Sequence, residues 1–526
     1  MTSAPTARQA TDAEQPFPSP SPPAFRNYVE TVLDGLSAVP GREVVVGDGR
    51  RLGADEFRSL VYRLARALRE CGVERGRTVT LLCGNVPETL AVRYAVNLLG
   101  AHFNHLYMRL GADVQAALMA DVDTYAFVVD PRLAERAARL AAAVPVERVL
   151  VLGGDGVLGE DLLALADKQD DAPLPSAARP EDLCFIRHSG GTTGHPKGIR
   201  STFARMQDLR LVAGLFGGRE RRDLVCIPLS HAGGFLADAT LAGGGTVVLH
   251  YAFDPAEVLA TVARERITNM FLLPPLLYQI LDHPDAAHAD TSSLRQVTYG
   301  GTPSSPVRIA EAVRRLGPVL QQGYGQFEAG AVSVLPAAEH DPDRLDVLRT
   351  AGRVVPGVEV EIRDEHGAAL PAGQVGEICV RADGVMEGYW KNPELTAEVL
   401  RDGWVHTGDL GRLDGDGYLT VVDRIKDMIA VVGGHVYTTE LEDFLHTHPA
   451  VRQCAVYGVR GDGGHERVHA TVVPRPGVQV TADELRTLVR DGRGEMYVPD
   501  RIDFADALPL TDAGKPDKKE LRLRAA

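Results

Sequence analysis

From about residue 54 the chain alternates helical patterns with short apolar runs, and this alternation limits its fold more than any other feature. Phe57, Leu60, Val61, Leu64 and Leu68 fall on one helical face, and Gly72 follows them. TVTLLC (78–83) predicts a strand, and PETLAVRYAVNLL (87–99) a buried helix stopped by Gly100. Strand-like runs return at VLVL (149–152), LCFIR (183–187), LVCIPL (224–229), TVVLH (246–250), NMFLLP (269–274) and LRQVTYG (294–300). Helical stretches such as PAEVLATVARERI (255–267) and SPVRIAEAVRRLG (305–317) lie between them. The pattern is that of doubly wound α/β sheets, which bind ligands at the carboxyl ends of their strands.

After about residue 350 the pattern changes. VEVEIRDEHGAALPAGQVGEICVR predicts antiparallel strands, and GRLDGDGYLTVVDR a hairpin turned by its Asp-Gly pairs. From Ile425 a smaller α+β unit follows, with helices near 439–447 and 482–491 and strands near 454–458 and 468–473. Residues 1–24, rich in Pro, Ser, Thr and Ala, read as a disordered leader.

A chain of 526 residues has room for a large core, and its net charge of −15 with no long basic run argues against a nucleic-acid partner. Any anionic substrate must then meet positive charge concentrated at one place. Six cysteines are spread without a CxxC pair, so neither a zinc ribbon nor a redox dithiol is indicated, and buried reduced thiols suit a cytoplasmic protein. No apolar run reaches membrane-spanning length.

The stretch RHSGGTTGHPKGI (187–199) is where that charge could gather. Glycines let backbone N–H groups approach an anion, hydroxyls add donors, and Lys197 adds a cation. The Walker A spacing is absent. GDGVLG (154–159) matches a dinucleotide fingerprint but lacks the later acidic strand end, so a glycine turn is the better reading. DGDG (414–417) lacks the closing Glu of a calcium loop, and His446 and His448 read as a solvated helix end rather than metal ligands. Four further segments share the loop's chemistry: PLSHAGG (228–234), QQGYGQFEAG (321–330), WVHTGDLG (404–411) and LPLTDAGKPDKKELR (508–522).

Together, in this order, these segments resemble the adenylate-forming acyl- and aryl-CoA synthetases and their relatives among nonribosomal adenylation domains and luciferases. The likeness runs from about residue 40 to 522, and GEICVRADGVMEGYWKNPELT (376–396) and the terminal GK share it. It implies a large N-terminal domain of two α/β sheets and a distorted β-barrel (25–423), and a small mobile α+β C-terminal domain (424–526). It implies that ATP activates a carboxylic acid as an acyl-adenylate, which then passes to the thiol of CoA. By the same likeness, Ser189, Gly190, Gly191, Thr192, Thr193, Gly194 and Lys197 embrace the β and γ phosphates. Gly300, Gly301 and Thr302 line the adenine pocket and Tyr324 stacks on the base. Glu328, with Thr192, binds Mg2+. Asp409 accepts the ribose hydroxyls and Arg424 helps hold ribose or phosphate. His231 lies between acid and nucleotide, Lys426 occupies the hinge, and Lys515 reaches the α-phosphate from the small domain. A loop around Gly433 replaces Lys515 for the second half-reaction.

Three departures stand out. Phe327 occupies a place where relatives often have Thr, Ala430 one where many have Lys, and Thr438 one where many have Pro. The doubled glycine of SGGTTG resembles the aryl-acid-activating members, where the loss of the Thr hydroxyl at Phe327 has parallels, and this likeness implies an aromatic acid over a fatty acid. Other expectations from the same chemistry are a carrier-protein or amine acceptor, or ATP/nitrite-dependent diazotisation of an aryl amine. A degenerate sensor of nucleotide or acyl-CoA is a further reading, but Lys515, Asp409, Glu328 and Lys197 are all retained.

Overall fold

Residues 25–154, 157–188, 197–206, 219–431, 434–460, 466–511 and 514–525 are described by the structure, a computed structural model. The expected leader, the loop residues Ser189 to Gly194 and Gly433 lie outside them.

The alternating half forms two sheets. In the nine-stranded sheet the strands Leu320–Gln326, Gln296–Gly300, Asn269–Leu272, Arg222–Val225, Thr246–Leu249 and Glu43–Gly47 run parallel, in that spatial order. Antiparallel strands close both edges. In the seven-stranded sheet Thr78–Leu82 lies between His102–His105 and Thr124–Val129. Both sheets therefore reverse direction. The first reverses at Arg222–Val225, whose neighbours Thr246–Leu249 and Asn269–Leu272 follow it in sequence on opposite sides. A crevice opens at such a point, beyond the carboxyl end of the strand. This strand is shorter than the run LVCIPL suggested. It ends at Val225, and the chain leaves the sheet through Pro228, which has no N–H to give a ladder.

One core joins the two sheets. Val45, Val247 and Leu249 of the first share a cluster with Val79, Leu81 and Phe103 of the second. Every residue of the helix Pro87–Leu98 is buried, as its mostly apolar sequence predicts, although Glu88, Thr89, Arg93 and Asn97 interrupt it. Its one cation, Arg93, is 1% exposed and pairs with Asp238 at 3.1 Å, so the buried charge is answered.

A five-stranded antiparallel sheet follows, built on Glu359–Arg363, Gly376–Arg381, Trp404–Leu413 and Leu419–Arg424 with the short Leu400–Arg401. The DGDG segment makes its expected turn: Asp414 Oδ1 accepts from the amides of Asp416 and Tyr418, both at 2.9 Å, and Gly417 takes φ +80°. Gly154, the first residue of the fingerprint decoy, and Gly153 just before it also have positive φ, as a turn requires.

The C-terminal domain has a core of its own around Ile429, Val436, Leu441, Val456 and Leu485. Its strands Val451–Arg460 and Glu466–Pro474 pair antiparallel, and Arg501–Phe504 adds in parallel. That third strand was not anticipated, because RIDF alternates over only four residues. The domain docks through charge: Arg452 Nε lies 2.7 Å from Asp282, and Arg349 Nε 3.3 Å from Asp443. His446 corrects the sequence reading. It is no solvated helix end but lies against Tyr278 in this interface, with centroids 6.4 Å apart, and burial pushes its pKa down to about 4.

Candidate active site

The strand Trp404–Leu413 carries Asp409, and the strand Leu419–Arg424 ends on Arg424. The two strands pair so that these residues face each other in register. Asp409 is 6% exposed and is the hub of the site. Its Oδ1 accepts from Arg424 Nε at 2.8 Å. Its Oδ2 accepts from Tyr324 Oη at 2.9 Å and from Gln326 Nε2 at 2.6 Å. Gln326 was missed in the sequence, although the signal was there: it follows Tyr324 by two residues on one strand, so both side chains share a face. Burial and the Asp409 charge push the Tyr324 phenol well up, so the hydroxyl stays a donor.

The turn before Asp409 is held by a second carboxylate. Glu377 accepts the Gly408 amide at 3.0 Å on one oxygen and His406 Nδ1 at 2.7 Å on the other. Gly408 takes φ +68°, which a side chain would resist.

Lys515 arrives on a small hairpin of the C-terminal domain. Thr511 N donates to Lys515 O at 2.7 Å, and Lys515 N to Thr511 Oγ1 at 3.2 Å. Burial, then the charge of Arg424 beside it, push the Lys515 ammonium down to about 8, while Asp409 and Glu328 oppose the shift. The structure thus brings Lys515, Arg424, Asp409 and Glu328 within electrostatic reach of one another. Lys426 is also held below its usual range, first by burial and then by Arg424.

Glu328 accepts from Tyr389 Oη at 3.0 Å on Oε1. Lys197 Nζ sits 5.6 Å from the Tyr389 ring centroid, so the end of the Gly/Ser/Thr loop and the glutamate converge on one tyrosine. Gly300 closes the strand Gln296–Gly300, and a Cβ there would lie 2.1 Å from Gly323 O, which accounts for the glycine. Gly301, with φ +81°, and Thr302 follow on the open side of the sheet end.

His231 caps the helix Ala232–Ala242 at the reversal point of the first sheet. Its ring meets Phe327 edge-on at 4.8 Å between centroids and Tyr107 at 6.3 Å. Burial, with Arg187 and Lys515 near, pushes the imidazole down to about 3, so it is neutral. Phe327 turns toward His231 and also lies 4.2 Å beneath the Arg187 guanidinium. Thr438 begins the helix Thr438–Leu445; its amide and hydroxyl both donate to Asp423, the hydroxyl at 3.1 Å. Proline at that place could not make the amide bond. Burial pushes Asp423 up to about 6. Ala430 is exposed on the strand Ile429–Val431. All six cysteines are buried and free.

Two reversing α/β sheets, a lysine delivered from a small C-terminal domain and the polar cluster around Asp409 are the arrangement of an ATP-dependent, AMP-forming ligase. Sequence comparison places it further. Residues 35–390 match the AMP-binding enzyme family and residues 440–515 the AMP-binding enzyme C-terminal domain, and the chain belongs to this family. It is 38% identical to a feruloyl-CoA synthase of an Amycolatopsis species, over 92% of this chain and 96% of that one. It is 37% identical to the medium/long-chain-fatty-acid–CoA ligase FadD8 of Mycobacterium tuberculosis, over 91% and 86%. Among solved structures it resembles the amide bond synthetase McbA from Marinactinospora thermotolerans, with a TM-score of 0.86, 41% identity and coverage of 95% and 99%.

Proposed function

We propose that this enzyme activates an aromatic carboxylic acid with ATP as an acyl-adenylate and transfers the acyl group to CoA, in the cytoplasm. The observation that carries the aromatic assignment is Phe327, whose ring meets His231 edge-on at 4.8 Å between centroids while it also packs against Ile199, Met386 and Tyr389. An aromatic acid packing there gains roughly 0.5–1.5 kcal/mol beyond burial. An alkyl chain lacks that term and loses rotamer freedom. Free, buried thiols and the absence of any sufficiently long apolar helix among the described residues fit the location.

In this reading residues Ser189 to Gly194 and Lys197 hold the β and γ phosphates, Gly300 to Thr302 and Tyr324 the adenine, and Asp409 and Arg424 the ribose. A carboxylate offers about four lone-pair sites, and protein donors already fill three on Asp409. Holding both ribose hydroxyls therefore requires Tyr324 or Gln326 to turn away as ATP enters. Glu328 Oε2 accepts no hydrogen bond among the described residues, and a hard oxygen fits Mg2+, with Thr192 as the expected companion ligand. When bound, the ion would neutralise phosphate charge. The acid attacks the α-phosphate, pyrophosphate leaves, and Lys515 offsets the charge that builds there. Neutral His231 separates acid from nucleotide without adding charge. The domain spanning residues 424–526 then rotates, removing Lys515 and bringing the Gly433 loop to the thiol.

A second reading keeps adenylation and makes the acceptor an amine. The 41% identity to an amide bond synthetase favours it, as do Ala430 and Thr438, which alter the hinge side of the small domain. Pyrophosphate release with matched aryl and C6–C12 acids, followed by product analysis with CoA and with aryl or alkyl amines, decides. Thioester from aryl acids is the expected product. A tenfold or greater preference for the fatty acids would overturn the aryl assignment, and amide without thioester would establish the second reading.

Lys515 also sets a pH limit. Its folded pKa is lowered to about 8, so the charged form needed at the α-phosphate disappears as pH rises through that value, where an ordinary lysine stays charged to about 10. kcat/KM for ATP, which reports the free enzyme, is expected to fall tenfold per unit above about pH 8. Lys515→Arg should abolish that limb, since a guanidinium stays charged. A flat wild-type profile to pH 10 would contradict the assignment.

A further inference from the structure

Among the described residues Arg187 is a cation without a counter-charge in a place where one is expected. It ends the parallel part of the second sheet, on the strand Leu183–His188, two residues after Phe185 and on the same face. Its guanidinium lies 4.7 Å from the Phe185 ring centroid and 4.2 Å from that of Phe327. Among the described residues no carboxylate forms an ion pair with it, and its guanidinium donates no hydrogen bond. The carboxylate whose field it feels, Asp238, is occupied: Oδ2 by Arg93 at 3.1 Å and Oδ1 by Tyr94 Oη at 2.7 Å.

Arg187 is half-buried, and charges withdrawn from water are ordinarily paired, because an isolated one forfeits its hydration. Two ring faces recover part of that through cation–π attraction, yet they leave the N–H edge of the guanidinium unused. That edge is a planar fork whose spacing matches a carboxylate. Arg187 remains protonated at neutral pH, held near 10 by its burial. Its position is at the reacting end of the acid site: it flanks Phe327, the residue before Glu328, and its charge reaches His231, as does that of Lys515. Phe327, standing where relatives often carry a threonine hydroxyl, offers no polar side-chain atom, and the Arg187 guanidinium lies 4.2 Å from its ring centroid.

We propose that Arg187 binds an anionic oxygen of the acid substrate, held between Phe185 and Phe327 so that its fork faces the acid's carboxylate. The inference rests on the reading that this site takes a carboxylic acid, and it names the group that grips it. The same chemistry has two sources: the carboxylate that is activated, or a second anionic group on the acyl body. In the first case Arg187 orients the attacking oxygen for every acid; in the second it selects among acids.

The test is direct binding without ATP. Benzoate, ferulate, octanoate and isophthalate are titrated by saturation-transfer NMR against wild type, Arg187→Met and Arg187→Gln, with ATP affinity and melting temperature measured alongside. Both variants are expected to weaken acid binding at least tenfold and to leave ATP affinity within twofold. Loss for benzoate and isophthalate alike assigns Arg187 to the activated carboxylate. Loss for isophthalate alone assigns it to the second anionic group. Arg187→Gln keeps a polar stem without the charge, so it carries the test if the methionine variant does not fold. Unchanged affinity for every acid, a loss confined to ATP, or a wild type that binds none of the four would overturn the proposal. Wild-type pyrophosphate release with each acid is scored separately: acids that bind but release none would refute adenylation and leave Arg187 standing.

Discussion

Replacing Lys515 by alanine is expected to slow adenylate formation by about 10²–10³-fold, the usual cost of one well-placed electrostatic contact in a transition state. Attack by the acid's carboxylate oxygen concentrates negative charge on the α-phosphate as pyrophosphate departs. Lys515 is the cation the small domain supplies, and its place depends on docking. Its hairpin is closed by the Leu510–Pro516 bridge, and Gly514, with φ +79°, packs so that a Cβ would lie 3.4 Å from Leu276. Arg452 on Asp282 and Arg349 on Asp443 hold the domain there. Thiolation of a supplied acyl-adenylate should suffer much less, because the lysine has by then moved away. The two half-reactions are measured separately, by acid-dependent pyrophosphate exchange and by acyl transfer from synthetic acyl-adenylate. Equal loss in both would mean that Lys515 only fastens the domains together.

The elements legible in the sequence were those whose pattern is local. The helix Pro87–Leu98 announced its burial through a mostly apolar run, and the Asp414–Gly417 turn through residues that tolerate left-handed backbone. The Gly/Ser/Thr loop, GYGQFE and HTGDLG were each legible before any fold was known. What stayed hidden were partnerships between distant segments. Glu377 and Gly408 lie 31 residues apart, and nothing local ties that carboxylate to the Asp409 turn. Arg187 was visible beside the loop, but its lack of a counter-charge among the described residues is a property of the packing: it needs Asp238 to be spent on Arg93 and Tyr94. His446 misled for the converse reason. A histidine near a helix end reads as solvated until the docking of a second domain encloses it against Tyr278.

Asp409→Ala is expected to lower kcat/KM for ATP by about 10²-fold, since a hydrogen bond to a charged group contributes roughly 1.5–3 kcal/mol. The competing account is structural. The carboxylate answers Arg424 at 2.8 Å and accepts from Tyr324 and Gln326, so its removal leaves three donors facing a void and should also lower the melting temperature. A fall in stability alone therefore decides nothing. The ribose itself supplies the discriminating measurement. If Asp409 reads the hydroxyls, wild type should prefer ATP over 2′-deoxy-ATP by about tenfold, the worth of one such bond. In the alanine variant that preference should collapse toward unity, because the missing hydroxyl no longer has a partner to lose; this is the logic of a double-mutant cycle with one change made in the ligand. A purely structural aspartate would leave the preference intact while both nucleotides weakened together. Asp409→Asn adds a graded step: its carbonyl can take one hydroxyl, but its amide donors face Tyr324, Gln326 and Arg424, so it should fall near alanine rather than near wild type. A variant that melts lower, binds ATP as before and still prefers it over the deoxynucleotide would assign Asp409 to the turn and leave the ribose to other residues.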